Sequence, residues 1–385
     1  MAMLATNAME PLSSSEIPVS EPERLVDVDQ KHALACNFLE DAGYDALLLQ
    51  TPASFAWFTS GGDCSRGLGV DAVASLFITP EARVVVCSNV DSARLFETEI
   101  HGLGFQLKER PWHEPRSILV EDLCRGRKVA SDTGTARTTN VADQIRKMRV
   151  ELSEIELQRI RDLGRQVTHA VEATARHLER GQSEAEIAGH LTHRLLRHSI
   201  QPAQLQVISD GRGRRFRHWS FGTDPVESTC TVAAVGRKYG LCVTAARTVS
   251  FGEPTERIAA DHQHVTMALA SGIHFAQAGC DVSDLWQRIQ RIYEKCGSSD
   301  EWRLADQGAI SAFEPAEVPI LPSAKMRLCA GMAVHLHPSV GSAMGGETIL
   351  VGRKRNTLLT ERERWPSIDA IVKGTTYSLP DILRR

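Results

Sequence analysis

Ala233 to Phe251 reads AAVGRKYGLCVTAARTVSF, two apolar runs on either side of Gly240. Short apolar runs rich in β-branched residues and bounded by glycine read as buried strands. LQVIS (205–209) lies upstream and TVAAV (231–235) runs into the stretch, so it belongs to a run of strands. Two helices are predicted next, at about 255–277 and 283–296, followed by a β-rich end to about 373. Within the stretch, Ala233 and Thr244 are small and neutral, which matters below.

Ahead of these strands, SEIELQRIRDLGRQVTHAVEATARHLERGQ carries a helical pattern that opens on the capping-box pair Ser153 and Glu156. It predicts a helix of about seven turns ending at Gly181. A second capping box, Ser183 with Glu186, starts SEAEIAGHLTHRLLRHS. His190, His193 and His198 on this helix stand beside Arg and Thr with no acidic partner, so they read as solvated side chains. MRVELS (148–153) reads as a linker. Residues 24–147 alternate helix and strand: KHALACNFLEDAG is an amphipathic helix, DALLLQ a buried strand, and VASLFITPEARVVVCSN two strands about a Thr-Pro-Glu turn. FQLKERPW and KVASDTG add further strands. The expected organisation is an α/β (α+β) chain: a disordered tail over 1–23, an α/β domain over 24–150, and a second domain over 151–385.

A chain of 385 residues fits two domains at roughly 150 residues each. Its 42% hydrophobic and 24% charged residues are those of a globular protein. A net charge of −4 and a pI near 6.4 offer no basic field for nucleic acid. No apolar run approaches the ~18 residues of a membrane span, and residues 1–22 lack the basic and apolar regions of a signal peptide. Nine scattered cysteines with no C-x-x-C pair fit buried thiols in a reducing cytosol. The expectation is a cytoplasmic protein with no membrane or nucleic-acid partner. GGD (61–63), GRG (211–213) and GG (345–346) match no phosphate-binding fingerprint, and no nucleophile elbow is present.

The strand stretch resembles the paired segment D-x-G-x-x-x-x-G-Y-x-x-D-x-x-R-T of the creatinase / aminopeptidase P / methionine aminopeptidase superfamily, the pita-bread fold. Gly240, Arg247 and Thr248 anchor the match, which puts Ala233 and Thr244 where that family has metal-binding aspartates. The family's histidine turn corresponds to Ala305-Asp306-Gln307-Gly308-Ala309, with Asp306 at the histidine. Its G-M-x-x-x-x-E-P strand corresponds to Gly331–Pro338, with His337 at the glutamate. Its E-D-T-x-L-V strand corresponds to Gly346–Val351, with Gly346 at the last glutamate and Glu347 beside it. The resemblance covers nearly the whole chain and implies a creatinase-like N-terminal domain, a pita-bread domain and a homodimer. All five ligand positions have changed, and divalent cations need anionic oxygen or imidazole donors. The expectation is no metal and no cofactor.

Asp306, His335 and His337 are still ligand-type or acid–base side chains, and His335 and His337 share a strand face at period two. The resemblance places His218, in Gly213-Arg214-Arg215-Phe216-Arg217-His218-Trp219, at the acid/base histidine of creatinase, which works without metal. Imidazole exchanges protons near neutral pH without unusual tuning. Arg215 and Arg217 are candidate anchors for a substrate anion, since arginine grips carboxylates and phosphates. Glu317 is the preferred catalytic carboxylate and His337 a further candidate catalytic residue; Asp306, His335 and Glu347 are candidate substrate contacts. Arg247 reads as a buried structural arginine. The expected function is a metal-independent creatinase-like hydrolase or lyase acting on a small C–N compound or short peptide. Two alternatives stay open: an Xaa-Pro aminopeptidase-like peptidase with a rebuilt metal site, and an inactive pita-bread binding protein.

Overall fold

Helix α1 (Pro22–Ala42) carries a proline in its first turn, where no intrahelical N–H is lost, and stops at Gly43, whose φ of 65° suits a left-handed cap. The computed structural model describes residues 21–385. The expected tail lies outside these residues up to position 20, and its last two, Pro22 and Glu23, are already helical. The helix starts earlier than KHALACNFLEDAG suggests because Asp27, Val28 and Lys31 are buried, the last paired with Asp27 at 2.6 Å.

The chain divides into two units, one ending at Arg146 and one running from Lys147 to Arg385. In the first, strands β1 (Ala46–Leu49), β2 (Ala74–Thr79), β3 (Ala82–Ser88), β4 (Gln106–Arg110), β5 (Val129–Ser131) and β6 (Thr139–Asn140) form one sheet in the order β4-β3-β2-β1-β5-β6. The central pairs β1–β2 and β2–β3 are antiparallel, and the outer pairs are parallel. Helices α2 (Pro52–Phe58), α3 (Asn89–Arg94) and α4 (Ser117–Cys124) complete this α/β layer. Leu48, Phe77, Val86 and Val129 lie in its apolar core.

Helix α5 (Ala142–Arg149) crosses the division, so MRVELS is not a free linker. Arg149 and Val150 are buried, because Arg149 donates to Glu317 within the second unit. Helix α6 (Glu154–His177) begins at the expected box, with Ser153 N–H donating to Glu156 at 2.9 Å. It ends four residues short of Gly181. Leu178 turns extended and is buried, and Gly181 N–H donates to Val226 O at 2.8 Å, so tertiary contacts take over from the helix. Helix α7 (Glu184–Leu196) starts at the second box, where Glu186 N–H donates to Ser183 Oγ at 3.2 Å. His190, His193 and His198 are exposed there.

The buried stripe of α6, which includes Ile160, Leu163, Val167 and Val171, packs on β8 (Thr229–Lys238) and β9 (Leu241–Ser250), next to β7 (Gln201–Ser209). Strands β8 and β9 form a two-residue hairpin whose turn, Tyr239-Gly240, has φ of 54° and 76°. Positive φ at both positions matches the right-handed twist of the strands, and this explains the glycine. Helices α8 (Glu256–Phe275) and α9 (Val282–Lys295) follow. A second sheet, ordered β11-β10-β12-β15-β16, comprises β10 (Gly308–Ser311), β11 (Val318–Pro319), β12 (Ala333–Leu336), β15 (Glu347–Leu350) and β16 (Thr357–Leu358). The short hairpin β13 (Ser339–Val340)–β14 (Ala343–Met344) interrupts it. The β-rich end runs past residue 373, through β17 (Ser367–Val372) and β18 (Thr375–Pro380) to β19 (Leu383–Arg384), which pairs with β9.

The apolar core of this unit joins α8 and α9 to the second sheet through Leu269, Ile273, Ile289, Val334, Leu336 and Ile349. The two sheets are joined through β9 and β15. Thr244 N–H donates to Thr348 Oγ1 at 3.1 Å, Thr348 Oγ1 donates to Thr244 O at 2.9 Å, and Ala246 N–H donates to Gly346 O at 3.0 Å. Among the described residues no helix is long and apolar enough to cross a membrane.

Candidate functional site

The junction of the two sheets encloses a cavity of about 180 Å³. Pairing of Ala233 with Ala246 and of Val235 with Thr244 puts all four on one face of the β8–β9 hairpin, because strand side chains alternate. They form an uncharged wall to the cavity, and Gln204 and Gln206 on β7 add two amides. These two glutamines went unnoticed in the sequence reading. Their signal is polar residues at period two in a strand that is otherwise half-buried.

Opposite stands a histidine–aspartate–histidine array. On β12, Val334 and Leu336 enter the apolar core while His335 faces the cavity. His337 follows at period two and stacks on His335, with ring centroids 4.8 Å apart and planes at 24°. The Asp306 turn is held beside them. Gln307 donates to Ala305 O at 2.5 Å and accepts from Tyr293 Oη, while Gln307 O receives His337 N–H at 2.9 Å. Asp306 then accepts from both sides: His218 Nε2 lies 3.1 Å from Oδ1 and His337 Nε2 lies 3.3 Å from Oδ2.

Burial raises the Asp306 carboxyl, but the hydrogen bond from His337 and the charges of His337 and His218 outweigh it and hold the group at about 2. Asp306 is therefore a carboxylate at neutral pH. A carboxylate only accepts, so both Nε2 atoms carry protons and each neutral ring keeps its lone pair on Nδ1. His335 is set differently. Its Nδ1–H can only donate to Glu347 O at 3.2 Å, and burial with the charge of His337 lowers its pKa well below the ordinary histidine value. It stays neutral, with its lone pair on Nε2. A carboxyl-selective NMR titration should find Asp306 ionised down to about pH 2, with its midpoint raised in His337→Ala.

His218 sits after a short helical turn, Arg212–Arg214, that four ties hold in place. Arg212 pairs with Asp224 and lies 3.3 Å from Glu184, Arg214 lies 3.3 Å from Asp261, and Trp219 Nε1 donates to Glu184 at 2.7 Å. Arg217 pairs with Glu301 at 2.5 Å and lines the cavity. Arg215 does not reach it; it is exposed, over the Phe216 ring at 5.2 Å.

Two expected carboxylates also lie elsewhere. The Glu317 side chain is 0% exposed and sits behind the cavity, receiving Arg149 Nε at 2.8 Å, Arg149 Nη2 at 2.6 Å and Phe313 N–H at 3.1 Å. Burial raises its pKa against the pull of Arg149, and nothing leaves it facing a substrate. Glu347 is one residue past Gly346, and the strand alternation turns it to the other side. There it meets Arg247 Nη1 at 2.6 Å and Thr360 Oγ1. Arg247 is buried as expected and also holds Glu172 Oε1 at 3.0 Å and Thr360 O at 3.0 Å. The structure thus brings together His218, Asp306, His335, His337 and Arg217, and leaves out Arg215, Glu317 and Glu347. The cysteines are free, and burial pushes the Cys64 and Cys87 thiols to about 12 and Cys242 to about 11, so these three are not ready thiolates.

Ala233, Thr244, Asp306, His337 and Gly346 all line this one cavity, as the five aligned ligand positions must. The residues present do not fit a pair of bridged cations. Ala233 offers a methyl group, Thr244 a neutral hydroxyl, and Gly346 nothing. A Cβ built on Gly346 would stand 2.6 Å from Ala246 Cβ, so no side chain fits there without backbone movement. Among the described residues no three His, Cys, Asp or Glu side chains are placed to hold a metal ion.

Comparison with known proteins agrees with this architecture. An uncharacterized peptidase of Staphylococcus haemolyticus is 21% identical over 312 residues, 77% of this chain and 87% of the relative. The Xaa-Pro dipeptidase from Bacillus anthracis superposes with a TM-score of 0.76 at 15% identity, over 93% of this chain and 100% of the other. The prolidase from Pyrococcus horikoshii superposes with a TM-score of 0.73 at 18% identity, over 89% and 99%. The model of metallopeptidase family M24 matches residues 158–360, more than half of the chain. With its pita-bread architecture and the five ligand positions gathered in one cavity, this chain belongs to metallopeptidase family M24.

Proposed function

We propose that this protein is a hydrolase of small C–N compounds that works by acid–base catalysis from a histidine–aspartate–histidine array, without the family's paired cations. The observation that carries this reading is the placement of both His218 Nε2 and His337 Nε2 on the single carboxylate of Asp306. A buried or half-buried carboxylate on an imidazole N–H fixes the tautomer and stabilises the imidazolium that forms when the ring takes a proton. His218 Nδ1 then removes a proton from water as its oxygen adds to the carbon of the scissile C–N bond. The same proton passes to the departing nitrogen as that bond breaks, giving an acid or its equivalent and an amine. His337 supplies a second imidazole on the same carboxylate, which stabilises the negative charge that Asp306 must keep throughout.

A second reading is an Xaa-Pro peptidase with a rebuilt single-metal site. It is favoured by the fold likeness to an Xaa-Pro dipeptidase; the imidazole and carboxylate groups around Asp306 are ligand types that would have to shift to share one ion. One experiment separates the two. Chelator-treated protein is assayed on a panel of small amides, ureas, guanidino acids and Xaa-Pro dipeptides, with and without manganese or zinc. The acid–base reading expects turnover that chelator leaves unchanged and that His218→Ala lowers on the order of 10²–10⁴-fold. Turnover that appears only with added metal overturns it in favour of the peptidase. No turnover at all in the folded protein overturns both, leaving a binding protein.

A further inference from the structure

We infer that Arg217 forms an oxyanion-binding subsite in this cavity, so that its small-molecule ligand carries a carboxylate or phosphate group. The inference rests on the reading of the cavity as a substrate site and names what that substrate must offer. The Arg217 side chain is 7% exposed and lines the cavity. Its Nη2 donates to Glu301 at 2.5 Å, yet its Nε and Nη1 have no hydrogen-bond partner.

Other ion-paired arginines, Arg110 and Arg212 among them, leave a buried Nε without a hydrogen-bond partner, but among the described residues Arg217 alone leaves two guanidinium nitrogens so, and it does this in the cavity wall. A guanidinium stays charged at every accessible pH and has donors only, so each buried N–H without an acceptor carries a desolvation penalty. A structural arginine in this molecule looks different: Arg247 uses all three nitrogens, on two carboxylates and two carbonyls. Glu301, in contrast, meets Arg217 through one nitrogen and spends the same Oε2 on Gly341 N–H at 2.9 Å. It holds the guanidinium in place without saturating it. The charged groups lining the cavity are Arg217 and Asp306, with Glu301 paired to Arg217 and the imidazoles of His218 and His337 on Asp306. Asp306 is already taken by two imidazoles, so the unmet demand is for an anionic acceptor at Arg217. Because His218 is the next residue, an anion held there places the adjoining bond of a small molecule beside the imidazole.

Calorimetric titration at pH 8 tests this with three probes: N-acetylglycine, inorganic phosphate and the neutral N-acetylglycinamide. One of the two anions is expected to bind at least tenfold more tightly than the amide, on the order expected for a charge-assisted hydrogen bond. Whichever anion binds identifies the group. Arg217→Met should abolish the preference, and Glu301→Gln should strengthen it by removing the competing carboxylate. If Arg217→Met fails to fold, the comparison of acid with amide in the unaltered protein still decides. Equal binding of acid and amide, or binding of neither anion at millimolar concentration, overturns the subsite. Binding is read here without turnover, so a failure of the catalytic reading does not disturb this result.

Discussion

Asp306→Asn is expected to lower turnover of the proposed reaction by roughly 10³–10⁴-fold while leaving the fold intact. The amide keeps one oxygen that can accept a hydrogen bond but replaces the other with an NH2 donor. Only one of the two Nε2–H groups now at 3.1 and 3.3 Å can keep its partner; the other ring must turn to its alternative tautomer or lose its contact. The imidazolium formed in the reaction also loses its counter-charge. Steady-state kinetics alongside thermal melting check this. A loss of activity matched by a loss of folded protein, or a change of less than tenfold in well-folded protein, would remove Asp306 from the mechanism.

Arg247→Met is expected to destabilise the second unit by about 3–5 kcal/mol, the range for breaking a buried ion pair. The arginine side chain is fully buried between Glu172 and Glu347, which are 0% and 1% exposed. Removing it leaves the Glu347 carboxylate buried without its cation and leaves Glu172 only Arg176 and two backbone N–H groups. Burial already raises the Glu347 carboxyl, and Arg247 is the main influence that lowers it. The variant should therefore recover part of its stability at low pH, where Glu347 takes up a proton more readily. Denaturant unfolding at pH 7 and pH 5 measures both effects. A midpoint that does not move would show the arginine to be dispensable. The triple variant Arg247→Met, Glu172→Gln, Glu347→Gln should regain more than the single one, because no buried charge is left unpaired.

Local pattern revealed much of this molecule. Both capping boxes, the strands on either side of Gly240, the strands about the Thr-Pro-Glu turn and the shared face of His335 and His337 follow from spacing alone, because helices and strands impose fixed periods on neighbouring side chains. The loss of carboxylates at Ala233, Thr244 and Gly346 is likewise a matter of residue identity. Errors arose where a distant partner decides the outcome. MRVELS looks like a linker until Arg149 finds Glu317, 168 residues away. Glu317 looks like a free acid until that same pairing takes it out of the cavity.

By itself, the sequence determined the fold family and the absence of an anionic donor at three of five ligand positions, since both depend on which residues occur in what order. Which titratable groups face one another was decided only by the tertiary structure. Arg217, Arg215 and His218 are near neighbours in the chain, yet one is buried with unmet donors, one is solvated, and one sits on Asp306. Burial and charge pairing are properties of the packed environment, and a desolvated group's partner comes from wherever the fold brings it.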